Sequence, residues 1–448
     1  MLPIVTPEEM AAIDAAASEP VEVLIERAGA AVARTARRLL GGTYGRRVVV
    51  IAGKGNNGND GRVAARRLRA LGVAVVELDA ARLPDTLPAC DLVIDAAYGT
   101  GFRGTWSAPR RPERTRVLAV DIPSGVDGLT GEAGGSVLRA DVTVTFAAYK
   151  PGLLFEPGRS LAGSIEVADI GLDVSGPLAG VPEASDIGRW IGARAPDAHK
   201  WRAAVYVLAG SSGMLGAAML ASRAAQRAGA GMVRLGTPGG DGNGPVEVVG
   251  EALPGSGFET TVLEALGRCH ALVVGPGLGR AEATVAAIRA LIAASPIPVV
   301  ADADALYAIG SAPVVPRRAP LVLTPHDGEY ERLVGHRPGA DRIDAARALA
   351  RHHDAVVLLK GSTTVVAGPD GRVHVVLVGD ERLATAGTGD VLSGVIGALV
   401  ATGTAPFEAT TAAAYVHGRA GTLGWRRGLV AGDLLDLLPA AFASLPGA

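Results

Sequence analysis

Short apolar runs such as Val48-Val49-Val50-Ile51 and Leu272-Val273-Val274 recur along the chain, each followed by a Gly-rich or acidic turn and then a helical pattern. These runs do not alternate with polar residues, so both faces of each strand must be covered. Strand, loop, helix, strand in that order selects a mostly parallel sheet between covering layers. In the first half the strand candidates are Arg47–Ala52, Val73–Leu78, Asp91–Ala96, Val117–Val120, Val142–Phe146 and Ser164–Val167. Helical spacing covers Pro7–Ala17, Val21–Leu40 and Arg62–Ala70. The Gly/Pro/Ser-rich passage from Asp173 to Pro182 reads as a linker. Beyond it come strands at Val205–Ala209, Met232–Leu235, Ala271–Val274, Pro298–Ala301, Pro320–Leu323 and Ala355–Leu359. A hairpin of Thr363–Ala367 and Val373–Val378 turns at Pro369-Asp370-Gly371. Helices are expected at Gly213–Ala228, Ala281–Ala294, Asp341–His352, Asp390–Ala401 and Glu408–Leu423. The expectation is two consecutive α/β domains, 1–180 and 185–446, each a three-layer sandwich and the first Rossmann-like.

With 448 residues and 48% hydrophobic content, the chain can bury two cores. A net charge of -2 gives no reason to expect nucleic acid or an acidic membrane as partner. No apolar run is long enough to span a bilayer, and the start lacks the basic and apolar regions of a signal peptide. Cys90 and Cys269, far apart, fit a reducing cytosol, so a cytoplasmic protein is expected. The eight histidines show no metal-ligand spacing. Only four of the 43 basic residues are lysine: Lys54, Lys150, Lys200 and Lys360. Arginine supplies plain positive charge but cannot copy a compact ammonium, so these four are candidates by chemistry.

In the second half five polar, Gly-rich edges follow strands, where ligands bind in open α/β sheets. They are Gly210-Ser211-Ser212-Gly213, Gly275-Pro276-Gly277-Leu278-Gly279, Leu323-Thr324-Pro325-His326-Asp327-Gly328-Glu329, Leu359-Lys360-Gly361-Ser362-Thr363-Thr364, and Ala386-Gly387-Thr388-Gly389-Asp390. The last lets backbone N–H groups face an anion at the start of a small-residue helix. Asp390 beside an anion site suits a base that takes a proton from a hydroxyl attacking phosphate; an Asp N-cap is the plainer alternative.

The order of these edges resembles the ribokinase-like superfamily and, within it, the ADP-dependent NAD(P)H-hydrate dehydratases, from about Asp197 to Ala420. The Leu-Thr-Pro-His-x-Gly-Glu string is the specific word; sugar kinases share the terminal Gly-Asp loop without it. The resemblance implies a ribokinase-like fold, with ADP as co-substrate accompanied by Mg2+. Asp390 is then the base on the C6 hydroxyl of hydrated nicotinamide. Ala386, Gly387, Thr388 and Gly389 form the anion hole. Lys360, Gly361, Ser362, Thr363, Thr364 and Gly389 bind the nucleotide, and Ala217, Gly277, His326 and Asp390 contact the hydrate. Lys200-Trp201-Arg202 stands where the family often has Lys-Gly-Asp.

In the first half, Gly53-Lys54-Gly55-Asn56-Asn57-Gly58-Asn59-Asp60-Gly61 could bind phosphate or, through asparagine oxygens, a hard cation. Asp95 and Asp121-Ile122-Pro123-Ser124-Gly125 end later strands. Turn chemistry alone also accounts for these residues. The segment from about Met10 to Leu172 resembles NAD(P)H-hydrate epimerases, with Gly99-Thr100-Gly101 and Lys150-Pro151-Gly152 also in register. The resemblance implies potassium on Asn57, Asp95 and Ser124. It implies hydrate binding by Asn56, Asn57, Gly58, Asn59 and Asp60, by Gly99, Thr100, Gly101, Phe102, Arg103, Gly104 and Thr105, and by Asp121. Asp121 is the expected acid/base, supported by the charge of Lys150. Arg27 stands where the family has Asn. Together the two resemblances imply a fused repair enzyme acting on R and S forms of NADHX and NADPHX, expected as a homo-oligomer. The alternative is a small-alcohol or vitamin kinase with a non-catalytic nucleotide-binding front domain.

Overall fold

The computed structural model describes residues 1–194 and 196–447. The chain divides into two compact units, Leu2–Gly180 and Val181–Ala448.

In the first unit six strands form one wholly parallel sheet: β1 Arg47–Ala52, β2 Ala74–Asp79, β3 Leu92–Ala96, β4 Arg116–Val120, β5 Val142–Phe146 and β6 Ser164–Ala168. Their order is β2-β1-β3-β4-β5-β6. Val48 and Val50 face one core, shared with the helices Val21–Leu40 and Asn56–Ala70, while Val49 and Ile51 face a second. That second core is closed by Leu87, by Leu138 and by Trp106 of the short strand Trp106–Ser107, which pairs with Gly135–Ser136, rather than by helices. The strand order reverses at β1, so the turns after β1 and β3 open on a switch point where a ligand can enter.

One boundary differs from the sequence reading. The crossover helix begins at Asn56, not Arg62, so the asparagine run is the helix's first turn. Glycines permit this. A Cβ at Gly58 would stand 2.0 Å from the Gly53 carbonyl oxygen, and one at Gly61 2.6 Å from Ala96 Cβ. The helix thus lies against the sheet with its N-terminal side chains over the strand ends.

In the second unit nine of the sheet's strands are β7 Ala204–Leu208, β8 Met232–Pro238, β9 Val249–Leu253, β10 Ala271–Val274, β11 Val299–Ala301, β12 Leu321–Leu323, β13 Val356–Leu359, β14 Thr364–Ala367 and β15 Val373–Val376. They run in the order β15-β14-β13-β12-β11-β10-β7-β8-β9. All neighbours pair parallel except the expected hairpin, where β14 is antiparallel to both β13 and β15. The helix Thr388–Ala401 is buried along most of its length. Gly394 and Gly397 let it approach: added Cβ atoms would stand 2.1 Å from the Ala221 carbonyl oxygen and 2.3 Å from Val273 Cγ2. This packing fixes where the helix begins, and with it Asp390. A C-terminal helix, Ala431–Ala443, is an element the sequence reading left out.

Candidate functional site

The first unit holds a cavity of about 1090 Å3 at its switch point. Asn56, Asn57, Asp60, Gly99, Thr100, Gly101, Phe102, Arg103, Asp121 and Lys150 all line it. Asp121 follows β4 in the left-handed region, at φ 66°, and is held there by its neighbours. Its Oδ1 is 2.8 Å from Lys150 Nζ and accepts from Thr145 Oγ1 at 3.2 Å; its Oδ2 accepts from the Thr100 N–H at 3.2 Å. Lys150 is 1% exposed, and it also donates to Thr145 Oγ1 and the Phe146 carbonyl. The ammonium's donors are therefore engaged, and Lys150 positions Asp121 instead of reaching a ligand. Burial opposes ionisation of Asp121, but Lys150 and the hydrogen bonds outweigh it and hold the carboxyl below its ordinary range.

Asp60 is the opposite case. Burial, then the charges of Asp121 and Asp14, push its pKa up to about 8. Asp95 is fully buried; it accepts from the Ser124 N–H at 2.9 Å and the Ser124 hydroxyl at 2.6 Å. Burial raises its pKa against these bonds. Ser124 Oγ in turn accepts from the Tyr98 N–H at 2.9 Å, one residue before Gly99. Both polar atoms of the Asn57 amide are buried without a hydrogen-bond partner. A Cβ on Gly99 would lie 3.5 Å from Asn57 Cβ and 3.1 Å from Asp121 Oδ2, so Asn57 and Asp121 flank that glycine. An orphaned amide and a buried carboxylate with no cationic side chain among the described residues fit a hard cation.

Other residues singled out in this half stand elsewhere. Gly58 serves helix–sheet contact, Asn59 accepts from Arg62, and Gly104 and Thr105 lie outside the cavity wall. Arg27 donates to the Ile170 carbonyl at 3.0 Å and pairs with Glu19 at 2.8 Å, tying its helix to the segment after β6.

In the second unit the Gly387–Asp390 turn is the N-terminus of the helix Thr388–Ala401, with Gly387 as N-cap at φ 89° and no side-chain cap. Asp390 is not the capping residue, which removes the plainer alternative. Among the described residues, none of the N–H groups of Ala386, Gly387, Thr388 and Gly389 donates to a protein acceptor. Four free N–H groups at a helix N-terminus form an anion cradle. Burial, then the charge of Asp302, raises Asp390 to about 7, with Lys360 working the other way and Glu329 adding to the rise.

Lys360 reaches Asp302 Oδ1 at 3.0 Å and Glu329 Oε2 at 3.7 Å. Burial disfavours its charge, but those carboxylates reverse this and raise its pKa. A Cβ on Gly389 would stand 3.5 Å from Lys360 Nζ. The ammonium therefore stands beside the anion cradle, while Gly361, Ser362 and Thr364 continue along the loop into β14. Thr363 is buried.

The Thr324–Glu329 string now has a physical reading. Thr324 Oγ1 donates to Asp302 Oδ1 at 2.7 Å. His326 caps the helix Asp327–Val334, its Nδ1 accepting from the N–H groups of Gly328 and Glu329, which leaves the proton on Nε2. Glu329 accepts from the His326 N–H at 2.9 Å and faces Lys360. Gly277, at φ 64°, would bring a Cβ 3.3 Å from Ala217 Cβ, so these two small residues share a wall. Asp302, Glu329 and Thr324 were given no role in the sequence reading. The available signal was an aspartate directly after β11 and a Glu three residues beyond a capping His. Lys200-Trp201-Arg202 forms a 3-10 turn, with the Arg268 guanidinium 3.9 Å over the Trp201 ring.

Comparison with known proteins adds independent findings. A family profile for NAD(P)H-hydrate dehydratase matches residues 205–440, and one for the YjeF-related protein N-terminus matches residues 21–82 and 70–152. The bifunctional NAD(P)H-hydrate repair enzyme of Moorella thermoacetica is 36% identical over 99% of this chain and 97% of its own length. That of Mycobacterium leprae is 39% identical, over 91% of this chain and 90% of its own. A solved ADP/ATP-dependent NAD(P)H-hydrate dehydratase from Bacillus subtilis, co-crystallised with ATP and Mg2+, is 28% identical. It covers 60% of this chain and 99% of its own, with a TM-score of 0.51. A ribokinase-like superfamily protein from Enterococcus faecalis, 18% identical with a TM-score of 0.53 over 62% of this chain and 99% of its own, shares the fold.

Proposed function

The chain belongs to the bifunctional NAD(P)H-hydrate repair enzymes, and on that premise we propose which residues carry each half of the repair. The second unit dehydrates S-NADHX and S-NADPHX with ADP; the first interconverts the R and S forms so that both reach dehydration. The observation that carries this reading is the convergence of Asp390, Lys360, Asp302 and Glu329 on the four free N–H groups of the Gly387 turn.

In the dehydratase, Asp390 takes the proton of the C6 hydroxyl as its oxygen attacks the β-phosphoryl of ADP. The N–H groups of Ala386–Gly389 hold the phosphoryl oxygens as charge redistributes, and Lys360 adds a fixed positive charge beside them. AMP departs; phosphate then leaves C6, a proton leaves C5 to solvent, and the C5–C6 double bond forms. Phosphorylation turns hydroxide, a poor leaving group, into a good one. A base with pKa about 7 suits proton transfer near neutral pH. His326 Nε2–H, Gly277 and Ala217 contact the hydrated ring. Gly361, Ser362, Thr363 and Thr364 line the nucleotide, which carries Mg2+.

In the epimerase, Asn57, Asp95 and Ser124 would hold potassium, which would supply a fixed positive charge to the site. Asn56, Asp60 and Gly99–Arg103 enclose the hydrate, and Asp121, kept ionised by Lys150, accepts a proton. No helix among the described residues is long and apolar enough to cross a membrane, and both cysteines are free. We place the enzyme in the cytoplasm, acting on small molecules and assembling as a homo-oligomer. The alcohol-kinase alternative is not favoured, because both halves of the chain match the repair family.

Incubating the chain with purified S- and R-NADHX, with and without ADP, tests the reading. Expected are ADP-dependent recovery of NADH absorbance from S-NADHX and consumption of R-NADHX only with an intact first unit. No recovery from S-NADHX with ADP or ATP overturns it.

A further inference from the structure

We propose that Asp60 is the proton donor of the first unit's reaction, protonating the departing C6 hydroxyl while Asp121 accepts a proton from the water that returns. This rests on the epimerase reading above and assigns the two proton transfers that reading needs.

Asp60 is 6% exposed and lines the cavity that also holds Asp121. Among the described residues its carboxyl has no hydrogen bond or ion pair. It stands three residues after Asn57 on the helix Asn56–Ala70, which puts both on one helix face. No group of the described residues occupies the Asp60 carboxyl, and it opens to the cavity, where a bound ligand can reach it. Asp121, in the same cavity, is fully engaged by Lys150, Thr145 and Thr100. The two carboxyls therefore differ in state: Asp121 is an ionised acceptor, and Asp60, with a pKa about 8, is a neutral donor. Paired titratable groups pushed in opposite directions mark an acid and a base. Asp14 and Asp121 raise Asp60; of the cavity's other charged groups, Lys54, Asp79 and Arg103 are solvent-exposed, and Glu19 and Lys150 pair with Arg27 and Asp121.

The step balances without a redox partner. The N1 lone pair expels the C6 oxygen as Asp60 gives it a proton, so the C–O bond breaks and water and a C6=N1 iminium form. Water adds to the other ring face, a new C–O bond forms, and its surplus proton passes to Asp121. One proton has moved from Asp60 to Asp121, and exchange with solvent restores the pair. The product is the other epimer.

The test uses the full chain and R-NADHX without ADP, so that dehydration cannot proceed, with R and S separated by chromatography. Asp60→Asn should slow interconversion at least about 100-fold. Its substrate affinity should stay within about threefold, and its melting temperature should not fall. Asp60→Glu should retain part of the rate. For the unaltered chain, kcat/KM should decline as pH rises through about 8, where Asp60 loses its proton. An active parent chain with Asp60→Asn above about a third of its rate, or with no decline up to pH 9.5, overturns the donor role alone. A parent chain that does not interconvert the epimers overturns the epimerase reading, and the donor role falls with it.

Discussion

Replacing Asp390 by Asn should separate catalysis from stability. The carboxyl's pKa rises from 3.8 to about 7, with burial as the largest cause and Asp302 next. Such a group binds more protons folded than unfolded between those values, so above pH 7 its ionisation works against folding. Full linkage over that interval corresponds to about 4 kcal/mol. The carboxyl is partly open to solvent, which screens the penalty, so about 1–2 kcal/mol is the expected gain at pH 8. For a unit of this size that is a rise in melting temperature of roughly 2–8 °C. Dehydration of S-NADHX should meanwhile fall about 10²–10⁴-fold in kcat, the usual contribution of a general base, with little change in KM. The assay is recovery of NADH absorbance with ADP, beside a thermal melt at pH 8. The parent activity should rise with pH to a plateau above about 7, because Asp390 must be ionised to act. A variant that keeps its kcat but melts lower would refute the reasoning and return Asp390 to a structural role.

Lys360→Met should lower dehydration and move the pH midpoint upward, since it removes the charge that opposes Asp302 and Glu329 at Asp390; a pH–rate profile checks the direction. Lys150→Met leaves Asp121, partly exposed in the cavity, without its ammonium, so it should cost about 1–3 kcal/mol and abolish epimerisation while dehydration persists, read by denaturant melts and both assays. Asp95→Asn should remove the dependence of epimerisation and of the first unit's melting temperature on potassium over sodium, seen by exchanging the two salts. Gly387→Ala meets φ 89° and atoms 2.6 Å away at Leu220. It should cost at least about 1 kcal/mol and lower dehydration, seen in the melt and the ADP assay.

Strand positions were legible because sheets covered on both faces write themselves as apolar runs, and the hairpin because Pro369-Asp370-Gly371 is a turn by its own chemistry. The helix start at Asn56 was not legible. Asn and Gly are poor helix formers, and what holds them is the close fit of Gly58 and Gly61 on the sheet, a tertiary effect that outweighs local propensity. For the same reason the loop reading of Asn57–Asp60 concealed that two of its polar groups share one helix face. In the second unit Asp302 escaped notice because its part is played through Lys360, more than fifty residues later.

The four lysines show how far composition can point. Lys150 and Lys360 lie against Asp121 and Asp302, where each sets the charge around a carboxyl that the proposed reactions use. Lys54 is exposed at the cavity of the first unit, and Lys200 is exposed on the 3-10 turn beside Trp201. An arginine's planar fork at position 150 could not place one donor each on Asp121, Thr145 and the Phe146 carbonyl in a 1%-exposed pocket. The ammonium can, because its three donors diverge from one compact centre. Lys150→Arg should therefore resemble Lys150→Met and not the parent chain, although it keeps the charge. Lys200→Arg, on the surface, should leave both activities within about twofold. If Lys150→Arg epimerised at the parental rate, positive charge alone would suffice beside Asp121, and the scarcity of lysine would carry no information about this site.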